Sequence, residues 1–247
     1  MPRSVYTGRA SEASLIAVFA ALVTIATVSF SASVPATRGY FNIGETAIYV
    51  SALLFGASVG GLSAGIGSMI ADLALGYTLF APATLIIKGI EGAIVGHLGK
   101  RREVLSHRLG RLLAGVTAIA LGTIILAVGS SYYTGSVEFT LASPANPISF
   151  KVDVPSMFWI GLAFTTAVTV LHVSLKYDPS LNLEVIAVLT GGAEMVIGYF
   201  LYEQLVLGVA AIVEIPINIG QMTIGAVVAI PLVRAVRTRI SQAVRPS

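Results

Sequence analysis

The feature that most limits this chain's choice of fold is a succession of apolar stretches, most of them long enough to cross a lipid bilayer. A hydrocarbon core of about 30 Å takes about 20 helical residues to span. Spans are predicted near residues 12–34, 44–57, 58–76, 82–98, 109–131, 156–176, 183–203 and 214–234. The second is short, and Gly56, Gly60 and Gly61 blur its border with the third. In lipid every backbone polar group needs an internal partner, which runs rich in Ala and Leu supply as helices. Composition agrees: 55% of residues are hydrophobic and 11% charged, where a soluble domain carries about 25% charged. The mean hydropathy is +0.88. The expected fold class is therefore an all-α polytopic membrane protein of about eight spans, one membrane domain over residues 1–247.

The basic residues orient it. With both termini cytoplasmic, the inner segments hold Arg3, Arg9, Lys100, Arg101, Arg102, Arg108, Arg111, Lys176, Arg234, Arg237, Arg239 and Arg245. The outer segments hold Arg38 and Lys151, and Lys88 lies within a span. This is the positive-inside bias of a multi-pass protein of the cell membrane, and an odd number of spans would spoil it. It also explains the net charge of +3 without nucleic acid. Arg3, Arg9 and the apolar run Leu15–Val28 before Ser31-Ala32-Ser33 also loosely fit a signal peptide. Cleavage there would place the basic Lys100–Arg111 loop outside, so a retained first helix is preferred.

Several chemistries drop out. With no cysteine there is no disulfide, thiolate metal site or thiol nucleophile. His97, His107 and His172 are scattered without metal-ligand spacing. Gly99-Lys100 is followed by Arg101 and lacks the earlier glycine of a phosphate-binding loop. No cofactor, metal or catalytic group is expected.

The outer segment from Tyr132 to Pro155 carries Val137, Phe139 and Leu141, then Ile148, Phe150, Val152 and Val154, at every second position. Period-two spacing on either side of a Pro/Asn turn predicts a β-hairpin. Gly56-xxx-Gly60, Gly61-xxx-Gly65 and Gly92-xxx-Gly96 place small surfaces one helical turn apart. Such surfaces let backbones approach closely where lipid supplies no hydrophobic drive.

Ionisable groups at membrane depth are costly and point to function. Asp72 lies four residues before Gly76, roughly 6 Å from its helix end, and Lys88 six residues beyond Pro82, about 9 Å down the next helix. Similar depths allow an ion pair between adjacent spans, either a structural bridge or the wall of a solute pocket. Glu91, three residues after Lys88, shares its face. In the last span Glu214, Asn218 and Gln221 form one stripe, with Pro216 expected in the first turn. Upstream, Tyr199 and Glu203 lie four apart on the outer half of their helix, and Glu194 lies deeper. Tyr199 and Tyr202 also fit an interfacial aromatic belt.

Three runs carry a resemblance: Gly39-Tyr40-Phe41-Asn42-Ile43-Gly44-Glu45 with Ala52-Leu53-Leu54-Phe55-Gly56; Gly65-Ile66-Gly67-Ser68-Met69-Ile70-Ala71-Asp72 with Ala81-Pro82 through Lys88-Gly89-Ile90-Glu91-Gly92; and Glu214-Ile215-Pro216-Ile217-Asn218-Ile219-Gly220-Gln221 leading to Val233-Arg234. Together they resemble the membrane-embedded S component of energy-coupling factor (ECF) vitamin transporters, the riboflavin-type group in particular. The likeness covers roughly residues 10–100 and 183–240. It implies a six-helix core, to which this chain adds a helical pair and hairpin near 105–178, so a shared substrate does not follow. It also implies capture of a vitamin outside by the first outer loop, where Asn42 and Glu45 lie, and by the outer halves of later helices. Docking to a transmembrane T component driven by two cytoplasmic ATPases is implied too, with Ala17 and Ala21 of the first helix on the docking surface.

The expected function is the substrate-capturing subunit of an ATP-driven importer for a vitamin or related small polar heterocycle. Its candidate residues are Asn42, Glu45, Asp72, Lys88, Glu91, Tyr199, Glu203, Glu214, Asn218 and Gln221. A self-sufficient proton-coupled carrier using Asp72, Glu91 and Glu194 is the alternative, although such carriers usually show two similar halves. An enzyme lacks a nucleophile–base pair to work with.

Overall fold

The computed structural model describes residues 9–34, 39–100, 107–141, 148–176, 179–208 and 211–243. Along them run α1 (Arg9–Ser29), β1 (Ser31–Val34), β2 (Gly39–Asn42), α2 (Glu45–Phe55), α3 (Ala57–Leu75), α4 (Ala81–Gly99), α5 (His107–Tyr132), β3 (Gly135–Leu141), β4 (Ile148–Val154), α6 (Ser156–Lys176), α7 (Pro179–Val206) and α8 (Ala211–Ala243). The protein is a helical membrane protein with a small sheet at one end.

Four helical segments are both long and apolar enough to cross a membrane: Ala10–Ser29, Ala57–Leu75, Leu183–Val206 and Ala211–Gln242. α4 has the length, 19 residues, but Lys88, Glu91 and His97 dilute its apolar run. α2 does not cross alone. Its 11 residues rise about 16 Å, half a hydrocarbon core, and the predicted second span is a buried half-length helix.

Glycine decides how α2, α3 and α4 meet. The only residue between α2 and α3 is Gly56, at φ 93° and ψ −168°, a backbone region essentially closed to other residues. The glycine surfaces predicted on α3 and α4 face each other. A β-carbon on Gly61 would stand 2.8 Å from the Gly89 carbonyl oxygen, and one on Gly60 2.6 Å from Ala52 Cα and 2.9 Å from the Gly92 carbonyl oxygen. Backbones this close gain dispersion contact that larger side chains would prevent. α1 packs on the other side of α3, where the Thr24 hydroxyl donates to the Gly67 carbonyl at 2.8 Å.

At one end of the bundle, Lys100 Nζ donates to the Phe55 carbonyl at 2.6 Å and Arg237 to the Leu53 carbonyl at 2.6 Å. Both cations sit at the C-terminus of α2, the negative end of its dipole. Arg237 and Arg234 also pair with Glu184, the latter at 3.1 Å.

At the opposite end lies a four-stranded antiparallel sheet in the order β2-β1-β3-β4. The predicted hairpin forms, with Val137 opposite Val152 and Phe139 opposite Phe150, and its turn falls outside the described residues. The predicted first span, 12–34, is too long: the helix stops at Ser29 and Ser31–Val34 pairs with Gly39–Asn42. α5 and α6 pack chiefly on each other. Tyr133, just past α5, fastens them to the bundle by donating to the Val213 carbonyl of α8 at 2.6 Å, and Trp159 Nε1 donates to the Tyr133 carbonyl at 3.0 Å.

Candidate functional site

At the sheet end, β2, α1, α3, α4, α7 and α8 enclose a polar cavity with about 40 Å³ of open space, room for about three waters. Asn42, Asp72, Lys88, Tyr199, Glu203, Glu214, Asn218 and Gln221 line it, so eight of the ten proposed binding residues meet at one place. Glu45 and Glu91 do not line it; they stand behind Lys88 and hold it.

Lys88 is the centre of a buried charge cluster. Its ammonium donates to Glu45 and, at 3.1 Å, to Glu91, with all three side chains at least 95% removed from solvent. Tyr49 donates to the other Glu91 oxygen at 2.9 Å, and the ammonium lies 5.5 Å from the centre of the Tyr199 ring. Glu45 occupies the first turn of α2, where the helix dipole favours a carboxylate. The expected pairing of Lys88 with Asp72 does not form. Asp72 instead accepts a hydrogen bond from the Tyr40 hydroxyl at 2.5 Å. Depth counting placed the two helices' charges at one level but could not see that β2 and α2 insert partners of their own.

The amide stripe is a connected network. Gln221 Nε2 donates to Asn218 Oδ1 at 2.9 Å. The Gln221 carbonyl oxygen accepts from the Asn42 backbone N–H at 3.0 Å and from the Asn42 amide. Asn42 Oδ1 accepts from the Gly44 N–H at 2.9 Å, shaping the turn into α2. The Glu214 carboxylate lies against Gly39, in room a β-carbon there would take. Pro216 is not in the first turn as expected: α8 begins at Ala211, so proline removes a helical hydrogen bond one turn inside.

Several cavity residues were not assigned from sequence: Thr27, Gly39, Tyr40, Ser68, Tyr77, Phe80 and Thr84. Ser68 precedes Asp72, and Thr84 precedes Lys88, by four positions. That one-turn periodicity was the available signal. Thr84 is the partner of Tyr199, which donates to its hydroxyl at 2.9 Å. Tyr40 and Tyr77 stack with ring centres 4.5 Å apart, an aromatic wall of the kind planar ligands lie against. Tyr202 is spent elsewhere, on the Leu79 carbonyl. Glu194, half-buried on α7, is outside the cavity lining, and one of its oxygens has no partner. Ala17 and Ala21 are exposed on α1, beside exposed Val18, Leu22 and Ile25.

Tyr133 reports the electrostatics at the rim. Burial raises its phenol above the ordinary tyrosine value, and the negative charges of Glu214 and Glu203 raise it further. It therefore stays protonated and donating.

Comparison with known proteins bears on this arrangement. A protein from Pyrococcus woesei, described as an uncharacterized protein in gap 3'region, is 39% identical over 127 residues, covering 51% of this chain and 78% of that one. The sequence model of the ECF-type riboflavin transporter, S component, matches residues 10–177. The matched segment takes in α1 to α6, including the β-strands, the Lys88 cluster and the inner wall of the cavity on α3 and α4. An apolar bundle with a polar cavity is what a membrane subunit that binds a small solute requires, and the chain belongs to the family of ECF-type riboflavin transporter S components.

Proposed function

We propose that this protein captures a vitamin or related small polar heterocycle from outside the cell and delivers it as the S component of an ATP-driven importer. The observation that carries the reading is the placement of the polar cavity. It lies at the end of the bundle remote from Lys100, Arg234 and Arg237, and the basic end of a multi-pass protein is the cytoplasmic one. Both termini are then cytoplasmic and the cavity faces out. The family places the driving force in a T component and two ATPases, and the exposed Ala17 and Ala21 of α1 are the proposed docking surface. The α5–α6 pair with its hairpin is an addition to a six-helix unit, fastened at the cavity rim by Tyr133.

The remaining space of about 40 Å³ is small beside ligand pockets of about 300–1,000 Å³, so a solute has to part the amide network to enter. Asn218 is the group best placed to exchange its bond to Gln221 for one to the solute. Binding of riboflavin and of other vitamins to purified protein, without ATP, is the test. For any that binds, Asn218→Ala should weaken it about tenfold, the effect of one neutral hydrogen bond of about 1.5 kcal/mol. Unchanged affinity would remove Asn218 from the site. Copurification with a T component and ATPases separates this reading from a self-sufficient carrier. The carrier reading also has to use Glu91 as a relay, and Glu91 is held by both Lys88 and Tyr49.

A further inference from the structure

Among the described residues the cavity has more carboxylates than cations to meet them. Lys88 is its only cation among the described residues, and two carboxylates, Glu45 and Glu91, already hold it. Three further carboxylates, Asp72, Glu203 and Glu214, line the space. Glu203 is 3% exposed and its Oε2 has no hydrogen-bond partner among the described residues; Asp72 is 2% exposed and its Oδ2 has none either. Glu214 has partners of its own, and the surplus stands without it. A buried, unpaired carboxylate costs several kcal/mol, and an intramembrane ionisable group kept at such a cost is a functional one by default.

Among the described residues no group of acidic and histidine side chains is arranged to hold a metal ion. The walls beside the carboxylates are instead aromatic, with Tyr40 stacked on Tyr77. Carboxylates beside π-faces suit an organic cation, whose N–H groups meet the oxygens while its ring meets the aromatics.

We propose that the cavity selects solutes that carry a positive charge, and that Glu203 is the residue that recognises it. The solute is a small heterocycle bearing a protonated amine or a cationic ring nitrogen, and its N–H groups complete the coordination of Glu203 and Asp72. This rests on the capture function proposed above and narrows it by charge class.

The test uses the full chain purified in detergent and six probes: thiamine and 3-(aminomethyl)pyridine as cations, riboflavin and nicotinamide as neutral compounds, biotin and nicotinate as anions. Affinities are measured by thermal shift and equilibrium dialysis on the wild type and on Glu203→Gln. The expected result is that a cation binds at least tenfold tighter than any neutral or anionic probe, and loses about tenfold or more in Glu203→Gln. The same variant keeps the side chain's size and removes an unpartnered carboxyl oxygen, so it should unfold at the wild-type temperature or above when no probe is added. A purely structural glutamate would not lose cation binding while leaving stability intact. Tighter binding of a neutral or anionic probe, or a cation affinity unchanged by Glu203→Gln, overturns the charge assignment and leaves capture standing. Failure of all six to bind removes the capture reading and the charge assignment with it. Should Glu203→Gln not fold, Asp72→Asn is measured in its place, and an unchanged cation affinity there overturns the assignment equally.

Discussion

Replacing Lys88 by methionine should be the most damaging single substitution in this protein. The change strands Glu45 and Glu91 as two like charges in the bundle interior, each at most 1% exposed. Removing one partner of a buried ion pair costs about 3–5 kcal/mol, chiefly because the surviving charge is left without compensation. For a chain of this size that is a fall of roughly 6–20 °C in unfolding temperature, read by thermal unfolding in detergent. The decisive companion is the triple variant Glu45→Gln, Lys88→Met, Glu91→Gln. Neutral groups of similar shape should recover most of the lost stability, since isosteric replacement of a whole buried cluster is often near neutral. A Lys88→Met protein as stable as the wild type would show that the cluster carries no net charge interaction. Recovery in the triple variant without recovery of solute binding would separate the two roles of Lys88, holding the fold and lining the cavity.

Gly60→Ala is the second large effect, and its sign runs against intrinsic propensity. Alanine at a helix interior is normally favoured over glycine by about 1 kcal/mol. At Gly60 the added carbon would sit 2.6 Å from Ala52 Cα and 2.9 Å from the Gly92 carbonyl oxygen, both backbone groups of neighbouring helices. Neither yields as a side chain would, so α2 and α4 must both move away from α3. Overpacking of this kind costs about 1–3 kcal/mol, and valine at the same position should cost more. Gly161 of α6 offers the matched control, because nothing lies within 4 Å of its would-be β-carbon. Gly161→Ala should therefore leave the unfolding temperature unchanged or raise it, while Gly60→Ala lowers it. Two shifts of the same sign and size would mean that close packing of α2, α3 and α4 is not what holds them.

Particular residues show how far the chain could be read beforehand. Asp72, Lys88, Glu203, Glu214, Asn218 and Gln221 stand out in sequence because lipid penalises such groups, and that physics alone brought them to one cavity. The β3–β4 hairpin was legible for a similar reason, its apolar residues recurring at every second position. Glu45 was legible only through family likeness. It is 43 positions from Lys88, and counting residues along a helix gives depth but not the direction a side chain faces. That is also why Asp72 was offered to Lys88 when Tyr40 takes it. The β1–β2 pair was missed because Phe30, Ala32 and Val34 alternate with serines over too short a stretch to separate from the span before it. Pro216 was misplaced because nothing in the sequence marks where α8 begins, three residues before Glu214.

The shortness of α2 fixes where the chain ceases to be helical. An 11-residue helix that ends level with its neighbours at Gly56 must start well short of their far ends, so the bend at Asn42–Gly44 hangs inside the bundle, not beyond it. Loose peptide groups at that level would be intolerable against lipid. Here Gln221 and the Asn42 side chain take up the N–H groups of Asn42 and Gly44. The amide of Gln221 is thus waterproofing as well as lining, and a guest that takes its carbonyl for itself must leave the peptide N–H of Asn42 another acceptor.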